Sequence, residues 1–322
     1  MEPLMSIKNL KKYFTIQSGL FNNSTNYVRA VDDISFNIYK GETLGLVGES
    51  GCGKSTTGKI LVNLLKPTEG EILFCGKNIK ELTKKDRRKL SKNIQIIFQD
   101  PYASLNPRMT IGDIIAEPMR VNKIDNKDNL NKKVLNLLEC VGLASYHKDR
   151  YPHEFSGGQR QRVGIARAIS VSPKLIVCDE PVSALDVSIQ AQVLNLLYDL
   201  QREFHLTYLF IAHGLNVVKH ISNRVGVMYL GKIVEIADSD ILYKSCKHPY
   251  TQALLSAIPI PDPNMKGKRI LLKGDIPSPI NPPSGCRFHT RCPKCMNICK
   301  EKQPNMINLS KNHVVACHLY DY

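Results

Sequence analysis

The sequence predicts an α/β fold with a mixed or parallel sheet core and a cysteine-rich C-terminal stretch. Three short apolar runs supply the sheet: Leu44 to Val47, Leu175 to Cys178 and Tyr208 to Ala212. Four or five consecutive apolar residues fit strands buried on both faces, as in parallel sheets. Each run also ends in residues that carry chemistry rather than in a plain turn. The cysteines provide the last observation, because five of the ten lie within residues 286 to 322.

At 322 residues the chain suits one large domain with an appendage, or two domains. The start, MEPLMSIKNLKKYF, has no apolar stretch of signal-peptide length, and no run approaches a membrane span. A cytosolic setting is therefore expected, where clustered cysteines point to metal or redox chemistry more than to disulfides. Lys and Arg number 44 against 29 acids, a formal charge of +15. Such an excess fits nucleic acid, an anionic surface or a phosphate ligand. The densest basic run, KKDRRKLSKN from Lys84 to Asn93, has no interleaved aromatics to stack bases and reads as an exposed helix face. No nucleic-acid partner is expected.

The first apolar run leads into Gly48-Glu49-Ser50-Gly51-Cys52-Gly53-Lys54-Ser55, with Thr56 next. A helical pattern follows, with Ile60, Leu61, Leu64 and Leu65 on one face. The spacing fits G-x-x-x-x-G-K-[ST], the phosphate-binding loop. Glycines allow the backbone to aim successive N–H groups at phosphate oxygens, and the helix N-terminus adds partial positive charge. Lys54 would reach the β- and γ-phosphates of a bound nucleotide, and the Ser55 hydroxyl would ligate Mg²⁺. The second run ends in Asp179-Glu180. Two carboxylates leaving a buried strand suit a metal and a reacting water, with Asp179 on Mg²⁺ and Glu180 polarising the nucleophile. The third run ends in His213. Ligands gather at the carboxyl ends of strands in open α/β sheets, so the three ends are expected to form one site.

With HEFSGGQRQRVGIARAI these pieces resemble an ATP-binding-cassette (ABC) ATPase. Ser156-Gly157-Gly158-Gln159 looks like that family's signature motif. Ser156 is a suitable N-cap, and Val163, Ala166 and Ile169 carry the helix toward Pro173. The resemblance implies that this motif grips the γ-phosphate of ATP held by an opposite subunit. One phosphate loop and one signature then imply two chains sandwiching two nucleotides. Gln99 looks like the Q-loop glutamine, touching Mg²⁺ or the lytic water and linking to a transmembrane partner. Ser183-Ala184-Leu185-Asp186 looks like the D-loop that communicates across the dimer. Tyr13 is the choice for the aromatic on adenine, with Tyr27 its rival because residues 14 to 28 read as an insertion. Two departures stand out. Phe155 replaces the usual leucine before the signature, and Gly214 follows His213 where many members carry aspartate.

The resemblance assigns residues 1 to 245 to the cassette, with about 100 to 165 as the helical subdomain, and 246 to 322 to the extension. Lys247-His248-Pro249-Tyr250-Thr251-Gln252-Ala253-Leu254-Leu255 looks like the start of the extension of oligopeptide, dipeptide and nickel importer ATPases. Tyr250, Leu254, Leu255 and Ile258 make a short apolar helical face. Seven prolines from Pro259 to Pro283 argue for an extended tail. Cys286, Cys292, Cys299 and Cys317 match the positions that can carry a [4Fe–4S] cluster in that subfamily. Four thiolates also suit tetrahedral Zn²⁺, and Cys292 with Cys295 makes a C-x₂-C pair, with His289 and His318 as alternative ligands.

The implied protein is the ATPase subunit of an oligopeptide or dipeptide importer at the cytoplasmic face of the cell membrane. Its implied partners are a second ATPase subunit, two permease subunits and, indirectly, an extracytoplasmic binding protein. A nickel importer of the same build is the near rival. A non-transport ABC ATPase acting on nucleic acid is a distant one, since the chain has neither a second cassette nor a long coiled-coil insertion.

Overall fold

A computed structural model of the chain describes residues 2–17, 25–124, 127–258 and 269–321. Strands β1 (Pro3–Gln17) and β2 (Thr25–Tyr39) pair antiparallel along their length. Strand β3 (Thr43–Val47) runs into helix α1 (Lys54–Leu61). Next come β4 (Glu69–Phe74), the two-residue β5 (Lys77–Asn78), α2 (Lys84–Asn93) and β6 (Ile94–Ile97). The helical segment follows as α3 (Ile111–Val121), α4 (Lys127–Cys140) and α5 (Gly157–Ile169). The chain returns through β7 (Leu175–Asp179), α6 (Val187–Phe204), β8 (Thr207–Ala212), α7 (Leu215–Ile221), β9 (Arg224–Tyr229) and β10 (Lys232–Asp238). It closes with α8 (Ser239–Ser245), α9 (Pro249–Ser256), α10 (Asn297–Glu301), β11 (Ile307–Ser310) and β12 (His313–Val315).

Two sheets result. One has the order β2-β1-β4-β5, and the larger the order β11-β12-β10-β9-β3-β8-β7-β6. The strands β9, β3, β8, β7 and β6 are parallel, and β10, β12 and β11 add an antiparallel edge. The sheet is thus mixed, and its far edge comes from the last residues of the chain.

Alternation of side chains explains the double burial of the central strands. Leu44, Leu46, Val177, Leu209 and Ile211 face a core shared with Ile7, Leu10, Val31 and Ile34 of the smaller sheet. Val47, Ile176, Cys178, Tyr208 and Phe210 face the opposite core, shared with Ile111, Ile115, Leu138 and Val163 of the helical segment. Phe155 is buried in that second core, so the larger ring is accommodated.

Two local expectations need correction. Helix α1 stops at Leu61, and Asn63 adopts a left-handed φ of 61°, so Leu64 leaves the apolar face and is 57% exposed. Helix α5 ends at Ile169, short of Pro173, because Ser172 turns to a φ of 51°. The proline-rich segment has no helix across residues 269–283, while 259–268 lie outside the described residues. The basic run forms α2, capped by the Thr83 hydroxyl accepting from the Asp86 N–H at 3.2 Å, with Leu90 turned inward.

Candidate active site

Parallel register brings the chemistry to one edge. Val47 pairs with Ala212, and Asp179 with Ile211, so β3, β7 and β8 finish level with one another. The Glu180 N–H donates to the Ile211 carbonyl at 3.0 Å, extending the match one residue further. A cavity of about 240 Å³ opens there, lined by Ala30, Ser50, Gly51, Gly53, Lys54, Ser55, Thr56, Gln99, Glu180 and His213.

The loop itself depends on its glycines. Gly48, Gly51 and Gly53 have φ of 154°, 75° and 105°. A Cβ on Gly48 would lie 2.1 Å from the Met228 carbonyl oxygen, and one on Gly53 would lie 2.1 Å from that of Ala30. Glycine is needed at both for backbone conformation and for close approach. Lys54 is 3% exposed, and its ammonium donates to the Gly48 carbonyl at 2.7 Å and the Glu49 carbonyl at 3.0 Å. Its charge is therefore aimed into the loop. Cys52 is buried behind it, which pushes its thiol up; Lys54 partly opposes this.

Glu180 is buried and takes a left-handed φ of 51°. A non-glycine residue there stores strain on the order of 1–2 kcal/mol. Ser183 holds the turn, its N–H and hydroxyl both donating to the Glu180 carbonyl at 3.2 and 3.1 Å. One carboxylate oxygen accepts from Gln99 Nε2 at 2.8 Å, and the other lies 2.6 Å from His213 Nε2. Asp179 is also buried, and its Oδ1 has no hydrogen-bond partner. An orphaned buried carboxylate oxygen fits a cation or its waters, so Asp179 and Ser55 suit Mg²⁺. Gly214 caps α7 with an ordinary φ of −93°, so its backbone does not require glycine.

The signature residues stand apart from this cavity. Ser156 is exposed and accepts from the Gln159 N–H at 3.3 Å, while Gln159 Oε1 accepts from the Ser156 N–H at 3.0 Å. This capping box fixes the start of α5, whose first residues are partly exposed. Gly158 packs against Ile189 and Gly157 against Leu185, so the signature and Ser183-Ala184-Leu185-Asp186 share one surface. Asp186 is exposed and begins α6. Neither group lines the cavity at the phosphate loop.

Tyr13 lies on β1, and its hydroxyl donates to Asp32. Tyr27 lies on β2, close to half exposed. Burial and that hydrogen bond both push the Tyr13 phenol up. Burial opposes ionisation of Asp32, but the Tyr13 bond and the Arg287 charge hold its carboxyl below the usual range.

Cys286, Cys292, Cys299 and Cys317 form one neighbourhood in which thiolate charges would repel one another. Burial pushes the Cys286 thiol up to about 12 and Cys317 to about 11. Cys295 is exposed, and its charge when ionised would oppose ionisation of Cys292. The cysteine nature of the set fits a thiolate-loving group, whose positive charge would offset the cost of ionising these thiols. As they stand, however, no group of three or more His, Cys, Asp or Glu among the described residues is disposed to hold a metal ion. His289 Nδ1 faces the Cys286 carbonyl at 2.9 Å, and His318 pairs with Asp321 and the Lys302 carbonyl, so both rings have other partners.

Sequence reasoning missed the residues that join the extension to the phosphate loop. Tyr250, singled out for an apolar face, also accepts from the Glu49 N–H at 2.9 Å. Arg291 pairs with the Glu49 carboxylate at 2.7 Å, and Arg287 pairs with Asp32. Their place between Cys286 and Cys292 was the sole local signal, and it says nothing of distant partners.

Residues 31–183 match the family model described as ABC transporter, and residues 234–299 that of the oligopeptide/dipeptide transporter C-terminal region. The chain is 57% identical to the oligopeptide transport ATP-binding protein AppF of Bacillus subtilis (strain 168), over 99% of this chain and 98% of that protein. It is 53% identical to the oligopeptide transport ATP-binding protein OppF of Salmonella typhimurium, over 98% and 95%. A dimeric, post-hydrolysis structure of the ATP-binding cassette MJ0796 bound to ADP and Pi covers 73% of this chain and 98% of its own. It is 28% identical, with a TM-score of 0.64.

Proposed function

The chain belongs to the ABC transporter ATPases as an ATP-binding, ATP-hydrolysing subunit, and on that premise we propose that it powers the import of oligopeptides or dipeptides. The observation that carries the cargo is the pairing of an ABC region with an oligopeptide/dipeptide C-terminal region, alongside peptide-transport relatives over nearly the full length. No helix among the described residues is long and apolar enough to cross a membrane. As the ATPase of such an importer, the subunit works at the cytoplasmic face on two permease subunits, fed by an extracytoplasmic binding protein.

Each chain supplies half of two sites. Gly48 to Thr56 cradles the phosphates, Lys54 neutralises them, and Tyr13 receives the adenine. Mg²⁺, when bound, supplies further neutralisation of the phosphate charge, with Ser55, Gln99 and Asp179 as the residues for it. Glu180 draws a proton from the attacking water. Gln99 and His213 fix the carboxylate for that task, supported by the two bonds that occupy its oxygens. Ser156 to Gln159 and Ser183 to Asp186 face a second ATPase subunit, supported by the exposure of Ser156, Ser183, Ala184 and Asp186 away from the cavity. The exposed start of α5 offers that subunit's γ-phosphate a helix N-terminus.

The extension holds a [4Fe–4S] cluster or Zn²⁺ on Cys286, Cys292, Cys299 and Cys317, supported by their shared neighbourhood. The purpose of such a group is to staple a proline-rich tail.

Uptake of labelled peptide and of nickel, measured in cells with and without the subunit, tests the cargo. Loss of peptide uptake with nickel uptake intact supports the reading, and the reverse result overturns it.

A further inference from the structure

Glu49, the second residue of the phosphate loop, is held from the C-terminal extension. Arg291 grips its carboxylate with two prongs, Nη1 to Oε2 at 2.7 Å and Nη2 to Oε1 at 3.1 Å. The Tyr250 hydroxyl accepts from its N–H at 2.9 Å. The same residue then turns its carbonyl to Lys54 Nζ at 3.0 Å. Glu49 is thus fixed on its outer side by the extension and faces the phosphate-binding lysine on its inner side.

Arg287 braces the loop from another direction. It pairs with Asp32 and donates to the Leu230 carbonyl. The next residue, Gly231, donates its N–H to the Cys52 carbonyl at 2.9 Å and accepts from the Asp32 N–H at 2.9 Å. Phe288 lies between the two arginines in sequence, is 1% exposed and packs on Tyr229 and Tyr250. Both arginines therefore sit on one anchored segment.

We propose that Arg291 is a positioning residue for ATP binding, fixing the phosphate loop through Glu49 while Arg287 braces the loop through Leu230 and Gly231. The inference deepens the ATPase reading and rests on it. Its physics is pre-organisation. A loop with glycines at three positive-φ positions loses much backbone freedom when it closes on phosphate. A clamp that orders the loop beforehand removes that cost from the binding step. The pair is suited to the task, because the Arg291 side chain is 8% exposed and that of Glu49 is 25%. Two-pronged arginine–carboxylate pairs are strong and directional, and shielding from solvent keeps them so. Arg291 Nε is itself buried without a partner, so the burial of this arginine is not explained by saturation of its own donors.

The test uses the full-length chain as wild type, Arg291→Ala, Arg291→Lys, Glu49→Gln and the Arg291→Ala/Glu49→Gln double variant. Affinity for a non-hydrolysable ATP analogue with Mg²⁺, KM and kcat for ATP, and thermal melting are measured on each. Arg291→Ala should weaken nucleotide affinity and raise KM about tenfold, with kcat changed less than about twofold, since the reacting groups are untouched. Arg291→Lys should recover part of the loss, because an ammonium keeps the charge and loses the fork. The double variant should bind no worse than Arg291→Ala alone. Unchanged affinity in Arg291→Ala, or fully additive losses in the double variant, would overturn the proposal. If Arg291→Ala does not fold, Glu49→Gln decides from the loop side, and wild-type affinity there would equally overturn it. A wild-type chain that binds no ATP would instead sink the ATPase reading beneath it.

Discussion

Glu180 Oε1 lies 2.6 Å from His213 Nε2, across the ends of two neighbouring parallel strands. Gln99 holds the other oxygen at 2.8 Å, so a buried carboxylate is oriented from both sides while it faces the cavity. Such an acceptor is poised to take a proton from a water within hydrogen-bond reach in that cavity.

Replacing that carboxylate by an amide keeps shape and removes basicity. Glu180→Gln should lower kcat for ATP hydrolysis about 10²–10⁴-fold while leaving nucleotide affinity near wild type. Steady-state hydrolysis beside equilibrium binding checks both halves. Normal turnover would remove Glu180 from its role as base.

Two glycines of one loop should respond differently to the same change. Gly53→Ala places a Cβ 2.1 Å from the Ala30 carbonyl oxygen at a φ of 105°, so the loop must move and nucleotide binding should be lost. Gly51→Ala meets open space and bears only its left-handed φ of 75°, a strain of about 1–2 kcal/mol. It should keep binding with a modest loss. Binding isotherms of the two variants that coincide would contradict the close approach seen at Gly53.

The extension makes a prediction about which thiols matter. Cys286→Ser or Cys299→Ser should abolish bound iron or zinc after anaerobic purification, whereas Cys295→Ser should retain it. Cys295 is exposed and borders the thiol group at Cys292. Equal metal content in wild type and Cys299→Ser would reject the ligand set. Four irons with four sulfides per chain, rather than one zinc, would identify the cluster.

Burial pushes His248 down to about 3 from an ordinary 6.5. Its Nδ1 accepts from the Tyr250 N–H at 3.1 Å, its ring lies 5.6 Å from that of Phe288, and its backbone N–H donates to Glu235. The unfolded chain therefore binds this proton below pH 6.5 and the folded chain does not until about pH 3. Stability is unaffected above pH 6.5 and falls as pH drops through that window, by on the order of 1 kcal/mol per pH unit. His248→Asn retains a capping acceptor without the titration. Its melting temperature should fall less steeply than that of wild type between pH 6 and about 4. Parallel curves would show that His248 is not the group responsible.

Local chemistry made much of the site legible in the sequence. A phosphate loop must follow a strand and open a helix, and that demand is written in consecutive residues from Leu44 to Leu61. Ser156 announces a helix start because its hydroxyl and the Gln159 side chain cap each other across one turn. Continuous apolar runs at β7 and β8 likewise specify burial on both faces without reference to any partner. The errors were also local in kind. Leu64 fits the helical period, but periodicity cannot register that Asn63 turns left-handed and ends the helix first.

The type of each element and the reaction-bearing motif at its end could be read from consecutive residues, because these depend on neighbours within a few positions. Tertiary structure alone decided which distant groups meet. Strand register sets Glu180 against His213, and packing of Phe288 against Tyr229 and Tyr250 brings Arg291 to Glu49. It also seats β12 beside β10 in the main sheet, with β11 at the edge. Those pairings follow from where apolar faces can be buried together, a property of the assembled core that no short window of residues contains.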